Sequence, residues 1–306
     1  MLYTDEQLDS LYGEMYTISG DLVYPSYVQE PAPRLVNVKI NIEPKPVSID
    51  YSEITILVVP DCHVNDDDNL DRFVALDRFI MDKRPDYIVQ MGDFLGMSCL
   101  SHWDKNKKLK MEGVRYKKQI EAGNKAIDLM FHGIYKSKTY NPKIVWCFGN
   151  HDQTWVEQYL EANPTLEGHI DIIEDLKLRE RGITTVVPYK KYYEINGILF
   201  THAPQNAANA AVGGKFACQK ASELVSKSLV FGHTHSEQIY SCQRHGDDKL
   251  ITVYTAGCFF EPDAIEEYAD GGTLPHNFGI SLLTSCSEGQ FDVNRISLER
   301  LKAKYL

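Results

Sequence analysis

The sequence has no run approaching the ~18 consecutive apolar residues of a membrane span, and no membrane association is expected. It has no CxxC pair. Its seven cysteines (Cys62, Cys99, Cys147, Cys218, Cys242, Cys258 and Cys286) are odd in number and scattered. That usage suits free thiols in a reducing cytoplasm, not a disulfide framework. There is no surplus of basic charge: 32 Lys and Arg stand against 43 Asp and Glu, a net charge of −11. A protein coated with nucleic-acid contacts is disfavoured, although a local basic track is still allowed. No internal repeat or low-complexity tract occurs. The opening residues Met1 to Glu6 are polar and acidic, unlike a signal peptide, so a cytoplasmic location is expected.

The 306 residues, 43% hydrophobic and 25% charged, suffice for one large core with an appendage. Residues 4–16 have the spacing of a short amphipathic helix, with Thr4 and Gln7 placed as a capping box. Pro25, Pro31, Pro33, Pro44 and Pro46 make residues 24–46 an extended arm, with an alternating stretch at 36–40. Residues 1–48 are therefore read as an arm that could dock onto a neighbouring subunit, giving a homo-oligomer. Residues 49–306 are read as the catalytic domain. There, strands are expected at Ile54–Val59, Asp86–Met91, Ile144–Phe148 and Ser228–Phe231. Helices are expected over 70–80, 116–136, 153–161, 171–181 and 206–226. Asn196-Gly197 carries the signature of a type I′ hairpin. Strand pairs follow after residue 238, and 298–305 reads as a terminal helix. This order fits an α/β chain of two packed sheets with outer helices.

Five short motifs each follow an apolar run: Asp61-Cys62-His63, Gly92-Asp93, Gly149-Asn150-His151-Asp152, Thr201-His202 and Gly232-His233-Thr234-His235. They hold five of the ten histidines. Their donors are all oxygen or imidazole, which suits Mn, Fe, Zn or Ni and disfavours copper(I) or an iron–sulfur cluster. Asp61 and His63, and again His233 and His235, are two apart, which on an extended strand would aim both side chains to one side. Asp93 has two carboxylate oxygens and can bridge two ions. Two ions about 3.5–4 Å apart hold a bridging hydroxide and clamp an in-line phosphoryl transfer.

In that order the motifs resemble the calcineurin-like metallophosphoesterases (DxH, GD, GNH[DE], H, GHxH) over roughly residues 54–260. The resemblance implies a four-layer αββα sandwich, two mixed sheets flanked by helices, with a dinuclear site on the strand-end loops. It implies two divalent metal ions, with Mn²⁺ the expected pair. Asp61, His63, Asp93 and His235 would hold the first; Asp93, Asn150, His202 and His233 the second. His151 matches the non-ligand histidine that contacts phosphate and protonates the leaving oxygen, and Asn150 also faces substrate. Protein serine/threonine phosphatases of the family carry GDxVDRG, whose Asp orients the catalytic His and whose Arg grips phosphate. Here the stretch is Gly92-Asp93-Phe94-Leu95-Gly96-Met97-Ser98, so both are missing. SbcD-type nucleases usually place a His where Gly96 stands. Asp152, His102 and Asp104 are the candidates to orient His151, and Asp152 is grouped with it as catalytic.

Residues 98–118 carry seven cations against Asp104 and Glu112. Lys105, Lys107 and Lys108 are expected to bind substrate at the site's mouth, with Trp103 and Tyr116 among the charges. Such a rim suits a phosphoester polyanion such as single-stranded nucleic acid. The segment also resembles phage-encoded members of the family (Glu112-Gly113-Val114-Arg115-Tyr116, then Ile120-Glu121-Ala122-Gly123-Asn124). The expected function is a phosphodiesterase of nucleic acid or nucleotides, using a metal-bridging hydroxide. The alternatives are a phosphomonoesterase of a small metabolite or nucleotide, and a non-catalytic scaffold on this fold. His245 and His276 are read as surface residues.

Overall fold

The structure is a computed structural model. It describes residues 53–101, 104, 106–109, 111–243, 249–264 and 275–306. The arm at 1–48, its helix and its alternating stretch lie outside the described residues, as do His102, Trp103, Lys105 and His245.

In chain order the elements are β1 (Ile54–Val59), α1 (Asp71–Lys83), β2 (Tyr87–Gln90), α2 (Tyr116–Met130), α3 (His132–Lys136), β3 (Lys143–Cys147), α4 (Trp155–Ala162), α5 (Ile172–Asp175) and β4 (Thr185–Val187). There follow β5 (Tyr193–Ile195), β6 (Ile198–Thr201), α6 (Ala217–Ser222), β7 (Ser228–Phe231), β8 (Glu237–Gln243), β9 (Leu250–Ala256), β10 (Gly279–Ser287), β11 (Gln290–Ser297) and α7 (Leu298–Tyr305). They form two mixed sheets. One is ordered β11-β10-β1-β2-β3-β4 and the other β5-β6-β7-β9-β8.

Side-chain alternation makes the layers. Ile56 and Val58 of β1 join Val89, Val145, Phe200, Val230 and Tyr254 in a core between the sheets. Leu57 and Val59 face the other way, into a larger core with Phe73, Ile80, Ile127, Phe131 and Leu301 from the helices. On the second sheet, Leu229 and Phe231 pack outward against Ala217 and Ala221 of α6. A strand buried on both faces is apolar at nearly every position, which is why β1 and β7 are hydrophobic apart from Thr55 and Ser228 near their starts. Helix, sheet, sheet, helix is the expected four-layer order. Asn196 and Gly197 have φ of 46° and 81°, as a type I′ turn requires.

Several expected helices are shorter. The segment 116–136 breaks at Phe131, beyond which the buried Asp77 carboxylate captures the Gly133 N–H at 2.8 Å. In 171–181 only Ile172–Asp175 is helical, capped by Asp171, and Lys177 turns left-handed at φ 52°. In 206–226 only Ala217–Ser222 is helical. Upstream, Asn206 Oδ1 accepts from the N–H groups of Ala208 and Ala210, a turn that competes with helix. The helix expected at 153–161 is preceded by a π turn over Asn150–Thr154.

Candidate metal centre

All five motifs lie at carboxyl ends of parallel strands, three on the first sheet (β1, β2, β3) and two on the second (β6, β7). The site therefore straddles the end of the sandwich, where α/β folds gather ligands. Donor atoms of Asp61, His63 and His235 lie within 4.8 Å of one another, as do those of Asp93, His202 and His233. Asp93 Oδ2 stands 3.1 Å from His202 Nε2 and 3.9 Å from His63 Nε2, so it faces both groups. Asn150 Oδ1 lies 3.2 Å from His202 Nε2. All seven expected ligands thus meet in one cluster.

Asp61 and His63 converge on one group as expected, but strand alternation is not the cause, and for His233 and His235 it fails outright. His63, Asp93, His233 and His235 have φ of 45°, 48°, 67° and 54°, so each sits in the left-handed region where an extended rule cannot apply. The consequence is visible at His233 and His235, which diverge: the first joins Asp93 and His202, the second Asp61 and His63. Such backbone strain persists only where the surroundings hold it in place. Here the Cys62 and His63 N–H groups donate to the Asp93 carbonyl at 3.1 and 3.0 Å. The His233 N–H donates to Asp61 Oδ2 at 2.9 Å. Two glycines leave room for the carboxylates. A Cβ at Gly149 would collide with Asp93 Oδ1, and one at Gly232 with Asp61 Oδ1.

Behind the first trio lies Arg72 of α1, wholly buried. It donates to Cys62 O (3.2 Å), Phe259 O (3.1 Å), Asn69 O (2.7 Å) and Asp68 Oδ2 (2.9 Å). This one guanidinium ties the Asp61–His63 turn to Phe259, 187 residues beyond Arg72 itself. Arg72→Met is expected to destabilise the fold by about 3–5 kcal/mol in urea melts, since it strands buried acceptors. A cost below about 1 kcal/mol would show that the guanidinium is dispensable.

The electrostatics fit cations. Burial opposes charge on His202, yet the Asp93 and Asp61 carboxylates outweigh it and raise the imidazole to about 9. Burial, with His202 next, drives His233 down to about 4. A buried set of two carboxylates, an amide oxygen and four imidazoles suits divalent ions. His202 Nδ1 meets Met91 O at 2.9 Å, leaving Nε2 as the ligand atom.

His151 is also buried, its Nε2 3.9 Å from Asp93 Oδ2. Its Nδ1 meets the Gly96 carbonyl at 2.9 Å. A carbonyl can only accept, so Nδ1 is the donor there. The ring stacks on Trp155, with centroids 3.6 Å apart and planes 20° apart. Asp152, one of the three candidates to orient His151, turns its carboxylate elsewhere. Its carboxylate takes up the N–H groups of Gly149 (3.0 Å), Phe94 and Leu95 (both 3.3 Å), which organises the loops and not the imidazole. Burial and then the neighbouring Asp93 raise Asp152 to about 6. Asp104 pairs with Lys107 at 3.1 Å.

Of the expected substrate lysines, Lys108 lies exposed on the turns after Ser101, Lys107 is matched by Asp104, and Lys105 is outside the described residues. Tyr116 is partly buried against the core, and its hydroxyl donates to Asp175 at 2.5 Å. His276 is not a detached surface residue: its ring centroid lies 5.4 Å from that of His235, at the site's rim. Tyr189, which the sequence did not flag, lies 5.9 Å from His202 on the other side.

Among the described residues, no helix is long and apolar enough to cross a membrane. Comparison with known proteins agrees with the geometry. The family model described as calcineurin-like phosphoesterase matches residues 54–237. The chain is similar to the Gene 54 proteins of Mycobacterium phages L5 and D29. Each is 22% identical over 232 residues, which cover 75% of this chain and 88% of the relative. Ligand geometry at the strand ends and the match over most of the described core lead to one assignment: the chain belongs to the calcineurin-like phosphoesterase family of metal-dependent phosphoester hydrolases.

Proposed function

We propose that this protein is a dinuclear-metal phosphodiesterase acting on nucleic acid or nucleotides. The observation that carries the reading is the loop after Asp93. Where the family's protein phosphatases place a phosphate-gripping Arg, this chain has Met97, which is fully buried in the core, as are Phe94 and Leu95 before it. A monoester presents a dianion that gains from a guanidinium clamp, whereas a diester carries one negative charge and needs less.

Asp61, His63 and His235 would hold one ion, Asn150, His202 and His233 the other, with Asp93 between them. When bound, the two ions would supply Lewis acidity and activate water for attack on phosphorus. His151 does the proton work. With Nδ1–H committed to Gly96 O, Nε2 is the atom that, in the doubly protonated ring, gives a proton to the leaving oxygen and leaves the neutral Nδ1–H imidazole. The basic segment supports a polyanionic substrate through its solvent-facing cations Lys108, Arg115 and Lys118, although Lys107 is largely offset by Asp104. Homo-oligomerisation through residues 1–48 is part of the proposal, as is a preference for Mn²⁺.

Metal-stripped protein reloaded with Mn²⁺ is expected to hydrolyse bis-p-nitrophenyl phosphate much faster than p-nitrophenyl phosphate. A faster monoester rate would overturn the diesterase reading in favour of a phosphomonoesterase. Reversing the charges of Lys105, Lys107 and Lys108 is expected to weaken single-strand cleavage. It should also flatten the salt dependence, by about 0.7 in log–log slope for each phosphate that is no longer neutralised. An unchanged slope would detach the segment from substrate binding.

A further inference from the structure

We infer that Asn65 and Gln119 form an amide pair that positions His151, with Gly96 as the link. The inference rests on His151 acting as the proton donor proposed above. Two contacts set the imidazole's orientation. The Trp155 stack sets the plane of the ring, but a half-turn about Cβ–Cγ keeps that plane and exchanges the ring nitrogens with ring carbons. The bond from Nδ1 to Gly96 O, 2.9 Å, removes that freedom. The position of one backbone carbonyl therefore decides where Nε2 points.

Gly96 has no side chain with which to anchor that carbonyl. Its N–H donates to Val64 O at 3.0 Å. The Asn65 side chain fills the space over its Cα: a Cβ at residue 96 would collide with Asn65 Oδ1 and stand 2.8 Å from Cγ and Nδ2. Asn65 is itself held at both ends. Its Nδ2 donates to His63 O at 2.9 Å, and its Oδ1 accepts from Gln119 Nε2 at 3.1 Å. Gln119, on α2, is fully buried. Its Nε2 also donates to Ser98 Oγ at 2.8 Å, and its Oε1 accepts from Cys99 Sγ at 2.9 Å. A buried amide with these bonds made has one orientation to adopt. The metal trios have further anchors in Arg72 and Met91, although Asn65 also holds His63 O. Disturbing Gln119 or Gly96, neither of which bonds a ligand residue, should therefore tilt His151 while the ligand set stays intact. Gln119 and Asn65 are positioning residues on this account.

The test uses Mn²⁺-loaded full-length protein carrying Gln119→Met, Gly96→Ala, Gly96→Ala with Asn65→Ala, or His151→Ala. Each is assayed on two diesters, one with p-nitrophenolate and one with an alkoxide as leaving group, with metal content measured alongside. Gln119→Met and Gly96→Ala are expected to keep two ions and to lose about tenfold or more on the alkoxide diester. On the p-nitrophenolate diester the loss should be under about threefold, because a good leaving group needs little protonation. Adding Asn65→Ala to Gly96→Ala relieves the clash but removes the amide as well, so the loss on the alkoxide diester should remain; recovery to the parent rate would overturn the role of Asn65. Equal losses on both substrates in the two single variants, with His151→Ala still selective, would overturn the positioning role alone. If His151→Ala itself loses equally on both, the proton-donor reading fails and the positioning role falls with it.

Discussion

Asp93→Ala is expected to empty both ion positions and bring turnover to background, the largest effect of any single substitution in this chain. Its Oδ2 faces His202 on one side and His63 on the other, so each ion position would lose a donor at once. The neighbouring groups cannot replace it. Asp61 is committed to His235 and to the His233 N–H, and Asp152 to three backbone N–H groups. The turn itself should survive, because Cys62 and His63 bond to the backbone carbonyl of residue 93 and not to its side chain. Metal content after dialysis, read beside the far-ultraviolet circular dichroism, checks the expectation. Two ions retained in a folded Asp93→Ala protein would remove Asp93 from the bridging position.

The second large effect is selective. His151→Ala is expected to keep two ions and to lose about 10²–10⁴-fold in kcat on diesters with alkoxide leaving groups. The loss on p-nitrophenyl esters should be far smaller. The imidazole is buried and its Nδ1 is engaged by Gly96, so the variant loses a proton donor without losing a ligand. Its backbone N–H still reaches Asp93 Oδ1, at 2.8 Å in the parent protein. A uniform loss on both classes of ester would take His151 out of the acid role. A loss of metal would make it a ligand.

Much of this is legible in the chain. β1 and β7 read as buried strands because both faces are covered, leaving only Thr55 and Ser228 as polar positions near their starts. The ligand types and their order are legible because metals demand particular donors. How those ligands converge is not. Extended alternation predicts that His233 and His235 point together, and left-handed backbone at both sends them to different groups. The support for His151 is hidden for a different reason. A backbone carbonyl at Gly96 leaves no mark in residue type, and the missing side chain looks only like a lost histidine. Trp155 is readable as an aromatic four positions after His151, a helical spacing, but nothing marks it as a stacking partner instead of a core residue. Arg72 reads simply as part of a helix, because the carbonyl of Phe259 that it holds is far away in sequence. The helix expected at 206–226 fails where Asn206 and the Gly213-Gly214 pair offer the backbone a turn.

The central claim is that one buried cluster takes two ions through a shared carboxylate. Calorimetric titration of metal-stripped full-length protein with Mn²⁺, with bis-p-nitrophenyl phosphate hydrolysis followed along the same titration, tests it most directly. The account predicts two equivalents bound, with activity appearing mainly as the second is filled. Saturation at one equivalent with full activity, or activity that needs no metal, would contradict it.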